Sequence, residues 1–264
     1  MYIQEGKMKT YRIEEAGKGW IGHWFWYMVG AFNKIPEFGK EKIQVCFEDE
    51  DWTPYQLETF EILKDKIELV PNTTPHIYIE HHHPRHCQNG LEMSHIDPSI
   101  WVFVKDLFLS SIGDTKIEGY DRIYIRRNLS HLSQGNEKDT ACKNIRRRQI
   151  VNEDELVEQL KELDFKILNL EEFHTRDKIR IFHNASVILG PNGGGMCFTF
   201  VAQPGTKYIE ILPPNPHQYI DMYKDMCREF NLEFHRFQDV SREDHLDNMR
   251  VDVESLISYL KGVL

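Results

Sequence analysis

Residues 183–214 read HNASVILGPNGGGMCFTFVAQPGTKYIEILPP, and the fold turns on them. Val187, Ile188 and Leu189 are a short apolar run suited to a buried parallel strand. Gly190, Pro191, Asn192, Gly193, Gly194 and Gly195 then force a tight turn that β-branched residues would not make. Small and apolar residues over 196–202 predict a helix, Pro204 and Gly205 stop it, and residues 208–212 predict the next buried strand. Each of the three consecutive glycines costs roughly 0.5–1 kcal/mol relative to a residue with a side chain. Without Cβ atoms the backbone can approach a ligand closely, and the N–H groups of a helix start favour phosphate oxygens. A tight corner with no ligand explains the glycines equally well, because the spacing is neither G-x-G-x-x-G nor a Walker loop.

At 264 residues the chain is long enough for one large domain or two smaller ones. Its net charge of −10 argues against a nucleic-acid partner, since a phosphate backbone is held by a basic field. One segment departs from that average: between Arg122 and Arg148 eight Lys and Arg stand against two acids, Glu137 and Asp139. A local anion site in an acidic protein suits a small phosphorylated ligand. Five widely spaced cysteines suit reduced thiols, and the sequence shows neither a secretory signal nor an apolar stretch long enough to span a bilayer; the compartment expected is cytoplasmic.

Outside the glycine turn the chain alternates strands and helices. Residues 20–29 form an aromatic segment that predicts a buried helix beginning near Gly22, with His23 at its mouth. Residues 43–47, 67–70 and 76–79 predict strands, and residues 53–64 a helix with Thr53 as cap and Pro54 at its first position. Asp49, Glu50 and Asp51 imitate a metal-holding acidic triplet, but no glycine turn or basic site lies beside them, and a solvated loop is the reading taken. His81, His82, His83, His86 and Cys87, with His95 and Asp97 downstream, lack the two separated ligand pairs of a zinc site and predict a ligand-facing loop. Residues 100–110 predict a helix that closes the first half, and GDTKIEG at 113–119 a linker.

Beyond the linker, residues 122–127 predict a strand that ends in Arg126 and Arg127, where an open α/β sheet binds its ligands. A helix over 153–163 capped by Asn152, a strand over 165–170 and a helix over 176–183 lead into the glycine unit. A helix over 219–230, a strand over 232–237 and an amphipathic helix over 251–264 follow it. The alternation predicts an α/β protein of two Rossmann-like lobes with parallel sheets. The lobes are placed at residues 1–115 and 116–248, with residues 249–264 a terminal helix packing back on the first lobe.

Taken together, these motifs resemble glycosyltransferase family 61, which includes plant xylosyltransferases and animal O-linked GlcNAc transferases. The family's run of Y-I-S-R-R, R-x-I-L-N-E-x-E-L, H-N-A-x-V-I-I-G-P-H-G-A-G-L and P-P-G-T-x-V-I-E stands here at residues 124–127, 148–156, 183–196 and 203–210. Gly22, His23 and Trp24 are similar to its H-W element. The resemblance implies a GT-B arrangement with a cleft between the lobes, a UDP-sugar donor (UDP-xylose or UDP-N-acetylglucosamine), a glycan acceptor, inversion at the anomeric carbon and no obligatory metal or other cofactor. It implies that Arg127, Arg126 and Arg148 hold the diphosphate, and that Gly193, Gly194 and Gly195 offer it amides beside Asn192. Glu210 would accept from the ribose hydroxyls. A base near neutrality is needed for the acceptor hydroxyl; His23 is the first choice, with Asp97 and His83 behind it. Three residues depart from the family pattern: Asn192 replaces a histidine, Gly194 an alanine and Arg126 a serine. Trp26 and Tyr27 stand where the family often has an acid. A non-catalytic nucleotide-sugar or glycan-binding module of the same fold is the alternative.

Overall fold

The structure, a computed structural model, describes residues 8–13, 21–48, 52–79, 97–127, 148–212 and 221–264, and for His23 the backbone alone. The described residues form two units, the first ending at Gly113 and the second beginning at Asp114.

The first unit holds a four-stranded parallel sheet, built of β1 (Thr10–Ile13), β2 (Ile43–Cys46), β3 (Ile67–Leu69) and β4 (Ile77–Ile79) in the order β3-β2-β1-β4. The aromatic segment is helical, as its composition predicts, but not one α-helix. It passes from a single α turn (α1, Ile21–His23) through a π-helical stretch (Trp24–Val29) to a 3₁₀ stretch (Gly30–Lys34). All six side chains from Trp24 to Val29 are buried, and a Cβ on Gly22 would lie 2.8 Å from the Trp26 ring. The indole N–H of Trp24 donates to Thr59 Oγ1 at 3.0 Å, which ties the segment to α2 (Pro54–Ile62). Thr53 precedes Pro54 as the helix cap, and its backbone N–H donates to Gln56 Oε1 at 2.8 Å, one half of a capping box. The long helix α3 (Pro98–Ile112) closes the unit.

The second unit is a five-stranded parallel sheet of β5 (Arg122–Arg126), β6 (Lys166–Asn169), β7 (Val187–Pro191), β8 (Lys207–Ile211) and β9 (Glu233–Phe237), ordered β6-β5-β7-β8-β9. Counted within the unit this is the order 2-1-3-4-5, in which the direction of strand addition reverses between the first and third strands, the switch point of the sheet. Parallel sheets of that order bind ligands outside the carboxyl ends of those two strands. Here these are β5 and β7, which pair directly, Arg122 with Val187 and Tyr124 with Leu189. Between the strands run α4 (Glu153–Lys161), α5 (Thr175–Asn184) and α6 (Met222–Glu229), and α7 (Val253–Val263) ends the chain.

Further differences from the sequence expectation lie in the second unit. A short antiparallel ribbon, β10 (Val240–Arg242) with β11 (Met249–Val251), was not predicted, because three-residue strands among charged residues carry no periodic signal. The terminal helix α7, expected on the first lobe, is part of the second unit's own core. Its Leu256, Ile257 and Leu260 are buried in one cluster with Leu156 and Leu160 of α4 and Ile209 and Ile211 of β8. Asp252 caps its start by accepting from Ser255 N at 3.0 Å, and Lys207 Nζ donates to Val263 O at 2.6 Å near its end.

Among the described residues no helix is long and apolar enough to cross a membrane. Truncating Leu256 to alanine is expected to cost the second unit about 2–5 kcal/mol of unfolding free energy, as for other buried leucines. The exposed neighbour Ser258→Ala is expected to change stability by less than about 0.5 kcal/mol. Urea unfolding followed by circular dichroism separates the two.

Candidate functional site

Of the two consecutive arginines at the carboxyl end of β5, one, Arg127, meets the glycine turn at the end of β7. Consecutive residues leaving a strand face opposite ways, and Arg126 and Arg127 part company accordingly. Arg127 Nη1 donates to the backbone carbonyl of Asn192 at 3.0 Å, directly beneath Gly193. A Cβ built on Gly193 would stand 2.0 Å from that same nitrogen. The second glycine of the turn is thus accounted for: the guanidinium occupies the space a side chain would fill. Gly193 itself is extended, with φ 167°, so room and not backbone strain selects glycine there. Gly195 is constrained from the other side, where its Cβ would meet Leu170 Cδ1 at 3.1 Å and Ile125 Cγ2 at 3.3 Å. Gly194 is exposed, and from it a 3₁₀ helix (Gly194–Val201) runs into the core in place of the α-helix that the spacing suggests.

Arg126 does not join the glycine turn. Its Nε donates to Glu153 Oε2 at 2.7 Å and its Nη2 to Asp154 Oδ1 at 2.6 Å, and Tyr124 OH also donates to Glu153, at 2.8 Å. The hydrogen bond it donates to Glu153 raises the guanidinium above its ordinary value. Two carboxylates at the start of α4 therefore compete for this arginine, and the diphosphate role expected of it is not supported by its placement.

Arg148 reaches the turn from outside the strands. Its Nη1 donates to Asn192 Oδ1 at 2.8 Å, so both arginines rest on one asparagine, Arg127 on its backbone and Arg148 on its side chain. The backbone of Arg148 is left-handed, with φ 59°, a conformation non-glycine residues seldom adopt. It is held there by the ribbon: Arg148 N donates to Leu246 O at 3.0 Å, and Gln149 N to Asn248 Oδ1 at 2.8 Å.

Asn192 is buried, and its amide nitrogen donates to Glu210 Oε2 at 2.8 Å. Glu210 has no exposed surface, and its other oxygen accepts from Arg236 Nε at 2.5 Å. Arg236 is its cross-strand neighbour on β9, and its Nη2 continues to Asp221 Oδ1 at 2.9 Å. Burial pushes the Glu210 carboxyl above its ordinary value, while the hydrogen bond from Asn192 and the charge of Arg236 pull it back. The ribose contact expected of Glu210 is not open to it, because both oxygens face the protein interior. Tyr223, a phenol that burial keeps protonated, donates to Gly193 O at 2.7 Å and fixes the turn from below. Arg236, Asp221 and Tyr223 were not found in the sequence: they lie in no motif, and only the register of β8 against β9 brings Arg236 beside Glu210.

Of the base candidates, His23 and Asp97 belong to the first unit. His23 lies in α1, and its side chain is outside the described residues, as is His83 altogether. Asp97 is placed, and it is the cap of α3: its carboxylate accepts from Ser99 N at 2.9 Å, which holds it below the usual carboxylate range. A carboxylate so held is poorly suited to general-base work near neutrality, which removes it as a fallback. Among the described residues no three His, Cys, Asp or Glu are grouped to hold a metal ion, and residues 80–96, with the histidine run, lie outside them.

Because only the tip of a flexible side chain obstructs it, Gly193→Ala is expected to fold with a stability change under about 1 kcal/mol. By displacing the Arg127 guanidinium it is expected to lower pyrophosphate affinity about tenfold, the worth of one charge-assisted hydrogen bond. Calorimetric titration of pyrophosphate checks this; unchanged affinity would separate Arg127 from the anion site.

Comparison with known proteins bears on the same residues. The family model described as Glycosyltransferase 61 matches residues 21–209. No curated protein matches. Among solved structures, the iron-containing dodecameric glycosyltransferase TibC of enterotoxigenic E. coli H10407 is similar at 10% identity and a TM-score of 0.41, over 82% of this chain and 62% of that one. The dodecameric iron-containing heptosyltransferase TibC with ADP-D-beta-D-heptose is similar at 10% identity and 0.39, over 82% and 63%. This chain thus spans less than two thirds of the TibC chains, and likeness of that degree carries no inference about substrate. The family match runs from α1 into β8 and takes in Arg127, Arg148 and the whole glycine turn: the chain belongs to glycosyltransferase family 61.

Proposed function

We propose that this protein is an inverting glycosyltransferase that transfers a sugar, xylose or N-acetylglucosamine, from a UDP-sugar to a hydroxyl of a glycan acceptor. The observation that carries this reading is the Arg127 guanidinium seated in the space left by the missing Gly193 side chain, at the ends of the two strands that flank the switch point. The diphosphate of the donor would lie over that turn, between Arg127, Arg148 and the backbone N–H groups of Gly193, Gly194 and Gly195.

Breaking the bond between the anomeric carbon and the diphosphate leaves a growing negative charge on the departing UDP. Fixed cations and amide dipoles in a water-poor site stabilise such charge without reorganising, which is the largest single contribution many enzymes make to rate. Two arginines and a glycine turn can supply it, so the reaction proposed requires no metal. The acceptor hydroxyl attacks the anomeric carbon from the face opposite the diphosphate, and its proton passes to a base. His23 is the base proposed; an imidazole titrates near neutrality, as that role requires.

Calorimetry against UDP and a panel of UDP-sugars tests the donor assignment. The unmodified protein is expected to bind UDP, and Arg127→Ala to lose at least about tenfold in affinity. No binding of UDP or any UDP-sugar by the unmodified protein would remove the reading. His23→Ala is expected to keep UDP affinity and to lose turnover by about 100-fold or more, the usual worth of a general base. Transfer at the unmodified rate in that variant would remove His23 from the mechanism, and binding without turnover by the unmodified protein on a broad acceptor panel would favour a non-catalytic module.

A further inference from the structure

We propose that Glu210 and Arg236 are positioning residues for the donor site: the buried Glu210 carboxylate, held by the half-buried Arg236, fixes the Asn192 amide in the one orientation that presents its oxygen to Arg148. The inference rests on the donor reading above, and the experiment below separates the two.

Hydrogen bonds link five groups in a chain: Asp221, Arg236, Glu210, Asn192 and Arg148. An ionised carboxylate only accepts, a guanidinium only donates, and a primary amide does both, at opposite ends. Asn192 stands between Glu210 on one side and Arg148 on the other. With the carboxylate ionised, its nitrogen must face Glu210, and its oxygen is then left facing Arg148. Turned over, the amide would set oxygen against carboxylate and nitrogen against guanidinium, losing two bonds in a buried place where each unmade bond is costly. Glu210 is itself fixed, since Arg236 Nε takes its second oxygen and Asp221 holds the far end of Arg236. Order therefore passes from Asp221 at the start of α6, through β9 and β8, to the turn after β7.

The consequence at the surface is that Arg148 and Arg127 are held on one residue. Asn192 is additionally tied to β8 through its N–H, which donates to Ile211 O at 3.2 Å. A buried ion pair seldom stabilises a fold over an apolar pair of similar shape; the pair here, half-buried on its Arg236 side, specifies an orientation. Glu210, Asp221 and Arg236 all lie beyond residues 21–209, the range the family model matches.

A purely structural Glu210 and a positioning Glu210 differ in how their losses combine. In Glu210→Gln an NH2 group replaces one of the two carboxylate oxygens, so it meets either the Asn192 amide nitrogen or Arg236 Nε donor to donor. UDP affinity is measured by calorimetry on the full chain for the unmodified protein, Arg127→Ala, Glu210→Gln, Asn192→Ala and the Glu210→Gln/Asn192→Ala double variant, with circular dichroism to verify folding. Glu210→Gln and Asn192→Ala are each expected to lose about tenfold. The double variant is expected to lose no more than Asn192→Ala alone, because Glu210 acts on the donor through that amide. Losses that multiply in the double variant, or full affinity in Glu210→Gln while Arg127→Ala binds weakly, would overturn the inference and leave the donor site standing. Failure of the unmodified protein to bind UDP or a UDP-sugar would overturn both.

Should Glu210→Gln not fold, Arg236→Gln gives the second reading. The groups facing Glu210 are Arg236 from β9, Asp221, Tyr223 and Cys227 at and within α6, and Tyr208 on its own strand. Removing Arg236 takes away a cation that favours the ionised carboxylate, so the proton is taken up at higher pH, and a protonated Glu210 no longer accepts from both sides. The UDP affinity of Arg236→Gln, as a ratio to the unmodified protein at each pH, is expected to fall as pH is lowered. Arg236→Lys, which keeps the charge, is expected to hold that ratio flat. A flat ratio in Arg236→Gln would overturn the inference.

Discussion

A single contact organises the second unit: the guanidinium of Arg127, leaving β5, fills the space where Gly193, leaving β7, has no side chain. The contact requires three things at once. The two strands must be neighbours although α4, β6 and α5 lie between them in the chain, the residue after Arg126 must face the turn, and the second glycine must stay bare. The order β6-β5-β7-β8-β9 meets the first requirement by placing β6 outside β5, so that the first and third strands of the unit pair directly. Strand alternation meets the second. The composition of the turn meets the third, at the conformational cost that glycine carries.

What surrounds that contact is a set of buried restraints converging on Asn192. Its backbone carbonyl takes Arg127, its side-chain oxygen takes Arg148, and its amide nitrogen is taken by Glu210. The C-terminal segment supplies the outer part of the frame. The β10–β11 ribbon holds Arg148 in a left-handed backbone, α6 contributes Tyr223 beneath Gly193, and α7 completes the core against α4. The helix that looked like a strap for the first lobe is thus needed where it originates. An amphipathic face states that a helix is packed, and says nothing of what it is packed on.

The legibility of the site in the sequence followed the range of the interactions. The parallel strands, the helix capped by Thr53 with Pro54, and the meeting of a strand-end arginine with the glycine turn follow from local pattern and the topology rule for α/β sheets, and the structure has them. Arg126 was misplaced because two adjacent arginines look alike in a sequence, while only one can face the turn; the other is claimed by Glu153 and Asp154, which lie 27 and 28 residues away. Glu210 looked like a ligand residue because it ends a strand beside the turn. Its burial depends on Arg236 arriving across the sheet from β9, a register that no spacing in the sequence announces. Asp97 was a base candidate by residue type alone, and its position ahead of Pro98 and Ser99, a helix-start pattern, was the signal that explains it.

The account stands on the claim that a pyrophosphate belongs over this turn. A crystal structure of the protein with UDP measures it directly. The diphosphate is expected within hydrogen-bonding distance of both Arg127 and Arg148, with its oxygens facing the amides from Gly193 to Gly195 and Arg126 still paired to Glu153. A UDP bound elsewhere, with Arg127 and Arg148 making no contact to its phosphates, would contradict the account.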